Sequence, residues 1–401
     1  MTPDFLRRGA PAAVLRALPG ARAVGGAVRD HLAGLPIHDV DVAVPLPPEE
    51  VTRALRAAGL KVFETGLKHG TVTAVLDRQP VEVTSLRRDV VTDGRHAEVE
   101  WTDDWHEDAA RRDFTINAMS MGLDGVLLDY FGGRADLAAG RVRFVGEARQ
   151  RLAEDYLRAL RFFRFWARYG RGEPDAEALD AIREAVPGLA RLSVERVWME
   201  LKRLLAADDP TGGFRWMAQT GVFEAVLPEI HYPGLLGIQR LAAAGAPHIP
   251  CLWLAAMIPL DVQDVGEPIA RRLKFSAEER DDLIHVHDTM GGQPTMPAPD
   301  EASRRRWLIS RGDRHTAMLE VWLHEARTGM SSAELRAWMD ATPDLTMPVM
   351  GRDAVAMGIP PGAELGRLLH ALRAWWEADG ARAPREACLA KLRELANLPP
   401  A

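Results

Sequence analysis

Ala23-Val24-Gly25-Gly26-Ala27-Val28-Arg29-Asp30, followed shortly by His38-Asp39-Val40-Asp41-Val42-Ala43-Val44, is the stretch that decides the architecture. A short apolar strand runs into a double glycine and a helix leaves it. Glycines at such a junction let backbone N–H groups approach a polyphosphate closely, and a helix start adds favourable partial charge. Gly25 and Gly26 are therefore candidate phosphate-binding positions, with Arg29 as a clamp. In the second segment, strand alternation sends Val40, Val42 and Val44 to one face and Asp39 and Asp41 to the other. Adjacent carboxylates raise each other's pKa unless a cation neutralises them, and hard oxygen donors favour Mg²⁺. Alone, a Gly-Gly is a tight turn and an Asp-x-Asp a solvent-facing strand edge. Their closeness in sequence, with a further acid on the later strand Val81-Glu82-Val83-Thr84, turns the pair into a candidate metal site. Glu82 completes it if the two strands lie side by side.

Outward from this core, β-branched runs at 40–44, 71–76, 80–84 and 126–130 alternate with turns and with a short helix at 49–58, which predicts a mixed α/β domain over 1–145. Beyond Gly146 the strand signal fades. Amphipathic stretches at 149–169, 175–185 and 193–206 predict helices, with further ones to the C-terminus. The expected division is an α/β head over 1–145, a helical neck over 146–210 and a helical body and tail over 211–401, with joints at the Gly- and Pro-rich segments 291–299 and 342–348.

The chain has 401 residues, 47% of them hydrophobic, enough for ordinary cores. Its net charge is −7, which taken alone argues against a nucleic-acid partner. The distribution argues otherwise, because residues 141–171 carry nine arginines against Glu147, Glu154 and Asp155. Such a stripe follows a phosphate backbone or is simply a solvated helix face. Cys251 and Cys388, far apart and without metal-type spacing, indicate a reducing compartment, by default the cytoplasm. The first twenty residues hold no signal-peptide core, and no stretch approaches a membrane span. No pattern sets an oligomeric state, and Trp375-Trp376 read as core or interface.

Two later clusters carry chemistry. In Arg111-Arg112-Asp113-Phe114-Thr115-Ile116-Asn117-Ala118, Arg112 is suited to a triphosphate, while Asp113 and Asn117 are suited to a ribose hydroxyl. Residues 154–164, read as one helix, place Asp155 and Arg158 as i,i+3 neighbours. A carboxylate accepts from the exocyclic amine of cytosine or adenine, and a guanidinium donates to the ring nitrogen, so the pair selects C and A over U and G. The plain alternative is a surface ion pair. With metals on the aspartates, the constellation suits activation of a 3′-hydroxyl and departure of pyrophosphate in an in-line displacement.

Taken in order, Gly25 to Asp41, Arg111 to Ala118, Asp129 to Leu137, Glu154 to Arg164 and Ser193-Val194-Glu195-Arg196 leading to Glu200 and Lys202 resemble the motifs of bacterial CCA-adding enzymes, the tRNA nucleotidyltransferases of the class shared with bacterial poly(A) polymerases. The resemblance implies a head of polymerase-β nucleotidyltransferase type followed by an all-α neck, body and tail. It implies catalysis by Asp39 and Asp41 with Mg²⁺, phosphate contacts from Gly26 and Arg29, and triphosphate and ribose contacts from Arg112 and Asp113. Asp155 and Arg158 would be a protein template for the base, with Arg161 and Arg164 close to the nucleotide. The implied partners are CTP, ATP and tRNA, held by the body and tail chiefly through shape and phosphates. Tyr130 stands where many members have proline.

Several alternatives follow from the same residues. A poly(A) polymerase shares head and neck, and CC-only or A-only enzymes share the motifs. The polar linker at 87–110 is similar to the mobile loop of full CCA enzymes, which CC-only enzymes are expected to have shortened. His287-Asp288 raises a His-Asp phosphohydrolase, and a non-catalytic RNA-binding protein is the remaining reading.

Overall fold

The computed structural model describes residues 3–67, 70–93, 96–289 and 294–398. Two compact units are present, Met1–Pro233 and Gly234–Ala401. The first contains both the expected head and the expected neck.

The first unit starts with helix α1 (Gly9–Ala17), strand β1 (Arg22–Val24), α2 (Gly26–Leu32), β2 (Asp41–Val44) and α3 (Pro48–Ala57). Then come β3 (Lys61–Gly66), β4 (Thr71–Leu76), β5 (Gln79–Ser85), β6 (Arg87–Asp93) and β7 (His96–Trp101). Helix α4 (Trp105–Ala110), β8 (Met119–Gly122), β9 (Leu127–Asp129) and α5 (Gly133–Ala139) complete the α/β part. Seven strands form one sheet in the order β3-β4-β5-β2-β1-β8-β9, and β6-β7 form a separate hairpin. Every pairing in the sheet is antiparallel except β2 with β5, where Val42 lies opposite Val83 and Val44 opposite Ser85. The inward valines explain why these strands sit centrally: Val42, Val44, Val72 and Val83 are wholly buried, and α1 and α3, which carry the equally buried Val14 and Leu55, pack on β4 and β5. Each such side chain contributes roughly 1.5–3 kcal/mol relative to exposure.

After α5 the first unit is helical: α6 (Ala148–Glu154), α7 (Leu157–Tyr169), α8 (Ala176–Ala185), α9 (Val194–Leu205), α10 (Thr211–Thr220) and α11 (Val222–Val226). Two expectations are corrected here. Residues 149–169 are not one helix, because Asp155 is extended and its carboxylate accepts from Leu157 N–H, opening a new helix across a local turn. Residues 87–110 are not a linker but a hairpin followed by α4, whose Asp104 cap accepts from His106 N–H.

The second unit is all-helical among its described residues. Helix Pro250–Met257 is buried on all sides, whereas Trp376 packs with Leu372, Cys388 and Leu392 in a core of its own, as expected of that tryptophan pair. Cys251 and Cys388 are buried free thiols. Of the two expected joints, 291–293 lie outside the described residues, and 342–348 is an irregular connection between helices Ala333–Ala341 and Gly351–Ala356.

Candidate active site

The acidic end of the site is built by strand register. Asp39 and Asp41 are exposed while Val40 and Val42 are buried, so the alternation read from the sequence is present. The parallel pairing of Val42 with Val83 brings Asp41 alongside Glu82, also exposed. The Asp41 carboxyl is held above its ordinary value, first by desolvation, then by Glu82, with Asp39 adding a little and Arg112 opposing. Because the group faces solvent, screening tempers the desolvation effect. Among the described residues neither aspartate has an ion pair, and no three His, Cys, Asp or Glu converge as a ready-made metal cage. Two solvent-facing carboxylates that repel a third, with no ion pair to a protein cation among the described residues, fit an open oxygen-ligand site whose remaining positions would belong to water and substrate.

Beside Asp41 opens a cleft of about 540 Å³, lined by seven arginines and only three acids, Asp41, Asp113 and Asp155. Its floor is the double glycine. Gly25 has φ +62 and ψ −121, a combination that glycine alone adopts readily, and it sets the start of α2. A side chain there would also press on Arg112 Nη1, 3.3 Å from the position of a Cβ. Asp39 and Glu82 are not among the residues lining the cleft, and stand outside it.

The buried polar residues of the cleft wall form one hydrogen-bonded chain. Tyr169 Oη donates to Asp30 (2.5 Å), Arg29 Nε donates to the same carboxylate oxygen (2.9 Å), and Arg29 Nη1 donates to Asn117 Oδ1 (2.5 Å). Asn117 Nδ2 donates to Asp113 Oδ1 (3.0 Å), which also accepts from Phe114 N–H, while Arg161 Nε donates to Asp113 Oδ2 (2.8 Å). Burial pushes the Asp113 carboxyl up, but Arg161, Asn117 and the Phe114 N–H together hold it below its ordinary value. Burial pushes the Tyr169 hydroxyl up to about 12, so it stays a donor. Arg29 is thus locked between Asn117, Asp30 and the Phe165 and Tyr169 rings, rather than free to swing onto a phosphate. Asp113 and Asn117 likewise direct these bonds inward, so in this structure they fix Arg29 and Arg161 at the cleft wall. Arg112 remains half-buried, steered by Asp108, which also holds Arg111.

At the other end, Asp155 and Arg158 both line the cleft but do not pair with each other. Arg158 Nη1 donates to Glu154 (2.5 Å), which also takes Arg151, and to the Arg151 carbonyl. Asp155 Oδ2 accepts from Arg196 Nη2 at 2.6 Å. Arg161 reaches the cleft, whereas Arg164 does not: it turns back onto buried Glu200 (2.7 Å) and over the Phe165 ring, where burial lowers its pKa to about 10.

Arg196, Asp30, Asp108 and Tyr169 carry much of this geometry without being singled out in the sequence. Asp30 closed the first quoted stretch and Arg196 lay in the last motif, while Asp108 stands only three and four positions before Arg111 and Arg112, a helical spacing that could have marked it; Tyr169 meets Asp30 across 139 positions and has no local signal. His287 and Asp288 are accounted for structurally. His287 is buried against Asp288, whose carboxylate caps the N–H groups of Gly266 and Glu267.

A head of this sheet order, with an acidic strand pair beside an arginine-lined cleft, defines a nucleotidyltransferase. Residues 21–143 match the Poly A polymerase head domain family, and residues 173–232 match the family described as probable RNA and SrmB-binding site of polymerase A. The mitochondrial CCA tRNA nucleotidyltransferase 1 of Mus musculus is 39% identical over 394 residues, covering 93% of this chain and 86% of the relative. The CCA-adding enzyme of Geobacillus stearothermophilus is 40% identical over 373 residues, covering 88% and 87%. The crystal structure of Bacillus stearothermophilus CCA-adding enzyme in complex with CTP superposes with a TM-score of 0.73 at 29% identity, covering 99% of this chain and 98% of that one. This chain belongs to the CCA-adding tRNA nucleotidyltransferases. It is an enzyme that extends RNA 3′ ends, in a family that is generally metal-dependent and has both mitochondrial and bacterial members.

Proposed function

We propose that this chain adds C, C and A to the 3′ end of tRNA from CTP and ATP, releasing pyrophosphate, without a nucleic-acid template. The observation that carries the reading is the cleft itself: an oxygen-donor pair at one end, a cationic wall, and at the other an acceptor and a donor not paired with each other, Asp155 held by Arg196 and Arg158 held by Glu154. Asp39 and Asp41 would hold Mg²⁺, which when bound supplies charge neutralisation and acidifies the attacking 3′-hydroxyl. Glu82, beside Asp41, holds further negative charge at that end.

The chain's own residues do the rest. Arg111 and Arg112, set by Asp108, orient a triphosphate over Gly25 and Gly26, where the backbone can approach closely. Arg161, fixed by Asp113, adds charge to the same wall. Asp155 accepts from the exocyclic amine of C or A, and Arg158, held by Glu154, donates to the ring nitrogen. U and G offer the opposite pattern and leave both groups unsatisfied. The hairpin at 87–101 stands where the family's mobile loop is expected, which favours full CCA addition over CC-only addition. The neck (146–210) then serves base selection and the rest of the chain holds tRNA. We place this work in the cytoplasm, on the free thiols and the bacterial relatives; among the described residues no helix is long and apolar enough to cross a membrane.

The test is incorporation of labelled CTP or ATP into tRNA ending at the discriminator base, with Asp39→Ala/Asp41→Ala as control. Incorporation that the control lacks supports the reading. No incorporation by the intact protein, or equal incorporation by the control, rejects it.

A further inference from the structure

We propose that a hollow between α2, α5 and the end of α7 is a second phosphate-binding site, separate from the nucleotide cleft, and that it takes a nucleotide, either free or as one residue of an RNA strand. The hollow encloses about 460 Å³. Its walls include Leu32, Leu35 and Leu137 with the Tyr169 ring, and its cations are Arg134, Arg168 and Arg171; no Asp or Glu lines it.

The three arginines converge on the hollow with no acid among its lining residues. Many other arginines of this unit are matched to acids at close range, among them Arg143 to Asp136 at 2.8 Å, Arg149 to Glu184 at 2.7 Å and Arg151 to Glu154 at 2.9 Å. By contrast, Arg134 and Arg171 have no ion pair among the described residues, and Arg168 has only Asp30 at 4.0 Å. Three like charges facing one hollow repel one another, and an anion placed among them removes that cost. Guanidinium groups suit phosphate oxygens in planar, two-pronged contacts. The rim is also held in place. Arg171 N–H donates to the Gly140 carbonyl (2.9 Å), and Gly140, at φ +69, approaches so closely that a Cβ there would lie 2.6 Å from Arg171 Cβ. Arg134 N–H is bound by Asp129 at the start of α5.

The lining chooses among anions. A bare phosphate would use the arginines and leave the leucine floor uncovered, whereas a nucleotide covers it with sugar and base and suits the volume of a small-ligand pocket. Arg134, Arg168 and Arg171 take no part in the reaction proposed above, although Tyr169, whose ring lines the hollow, also braces Arg29 at the cleft wall through Asp30.

The test uses the full chain and the double variant Arg134→Ala/Arg171→Ala, with thermal melting to show that both are folded. Calorimetric titration with ADP should give two sites in the parent and one in the variant, while Arg112→Ala, which disables the cleft, should retain the hollow's site. A second arm measures tRNA affinity against salt: if the phosphate comes from RNA, the variant should lose about one to two units of the log–log slope. Loss of ADP binding alone assigns a free nucleotide, and loss of slope alone assigns an RNA phosphate. Arg134→Lys/Arg171→Lys should recover part of whichever is lost. An unchanged ADP stoichiometry together with an unchanged salt slope overturns the proposal.

Discussion

Asp155 and Arg196 are joined by an ion pair of 2.6 Å that ties the turn between α6 and α7 to the first turn of α9. The carboxylate that would read the base therefore does not hang free; its second oxygen is bound by the Leu157 N–H and its orientation is fixed from both sides. Removing Arg196 should loosen this acceptor while leaving Arg158 and Glu154 in place. Arg196→Ala is expected to lower kcat/KM for CTP by about 10-fold and to raise UTP misincorporation by a similar factor, in keeping with roughly 1–3 kcal/mol for a good base contact. Arg196→Lys should recover part of the selectivity. Single-nucleotide competition assays check this; an Ala variant with unaltered CTP-to-UTP discrimination contradicts it.

Asp41 stands beside Glu82 and, among the described residues, forms no ion pair, with only Arg112 partly offsetting the repulsion. Replacing it by Asn removes a repelled charge, and since the folded-state pKa is raised, the ionised group contributes slight destabilisation at neutral pH that the amide lacks. Asp41→Asn should melt no lower than the parent in EDTA, with a gain of at most ~0.5 kcal/mol because the group is exposed. Activity with Mg²⁺ should fall by ~10³-fold or more, as expected when a metal worth several kcal/mol in the transition state is lost. Melting curves and turnover on the same preparation test both halves.

Asp113 is the opposite case. Its folded pKa lies below the unfolded value, so its stabilisation is fully present above roughly pH 4 and is lost as pH falls through the depressed folded value. Asp113→Ala leaves Arg161 largely buried without this partner and should cost about 3–5 kcal/mol. The variant's stability should also vary less between pH 5 and pH 3 than the parent's. Denaturant melts across that range measure it, and parallel pH profiles would contradict the assignment.

Gly25 sits where an L side chain is strained. Gly25→Ala should cost about 1–3 kcal/mol from backbone conformation, and should raise KM for NTPs by displacing Arg112. Unfolding curves and initial rates check it; an Ala variant with parental stability contradicts it.

The sequence made the sheet legible because its strands bury one face. Residues 71–76 were read to the residue, and 80–84 fell within Gln79–Ser85, since valine alternation is a local signal. The hairpin at 87–101 was missed although Ala97, Val99 and Trp101 alternate with His96, Glu98 and Glu100, because the many charged residues from Arg87 to Glu100 outweighed that short alternation. The α6–α7 break was missed because the amphipathic period continues across Asp155, and only the side-chain bond to Leu157 reveals the turn. In the site, the carboxylate pair was visible from spacing. The inward locking of Arg29 by Asn117, Phe165 and Tyr169 was not, because residues so far apart in sequence meet only after folding. The same holds for Arg164, whose helical position gave no hint that Glu200 would draw it away from the cleft.

The most direct measurement is product length on a denaturing gel, using tRNA that ends at the discriminator base with CTP alone, ATP alone, and both. The account predicts two added residues with CTP, three with both nucleotides, and no extended ladder with ATP. Long A tails from ATP alone would instead make the chain a poly(A) polymerase, and no extension under any condition would contradict tRNA 3′-end synthesis altogether.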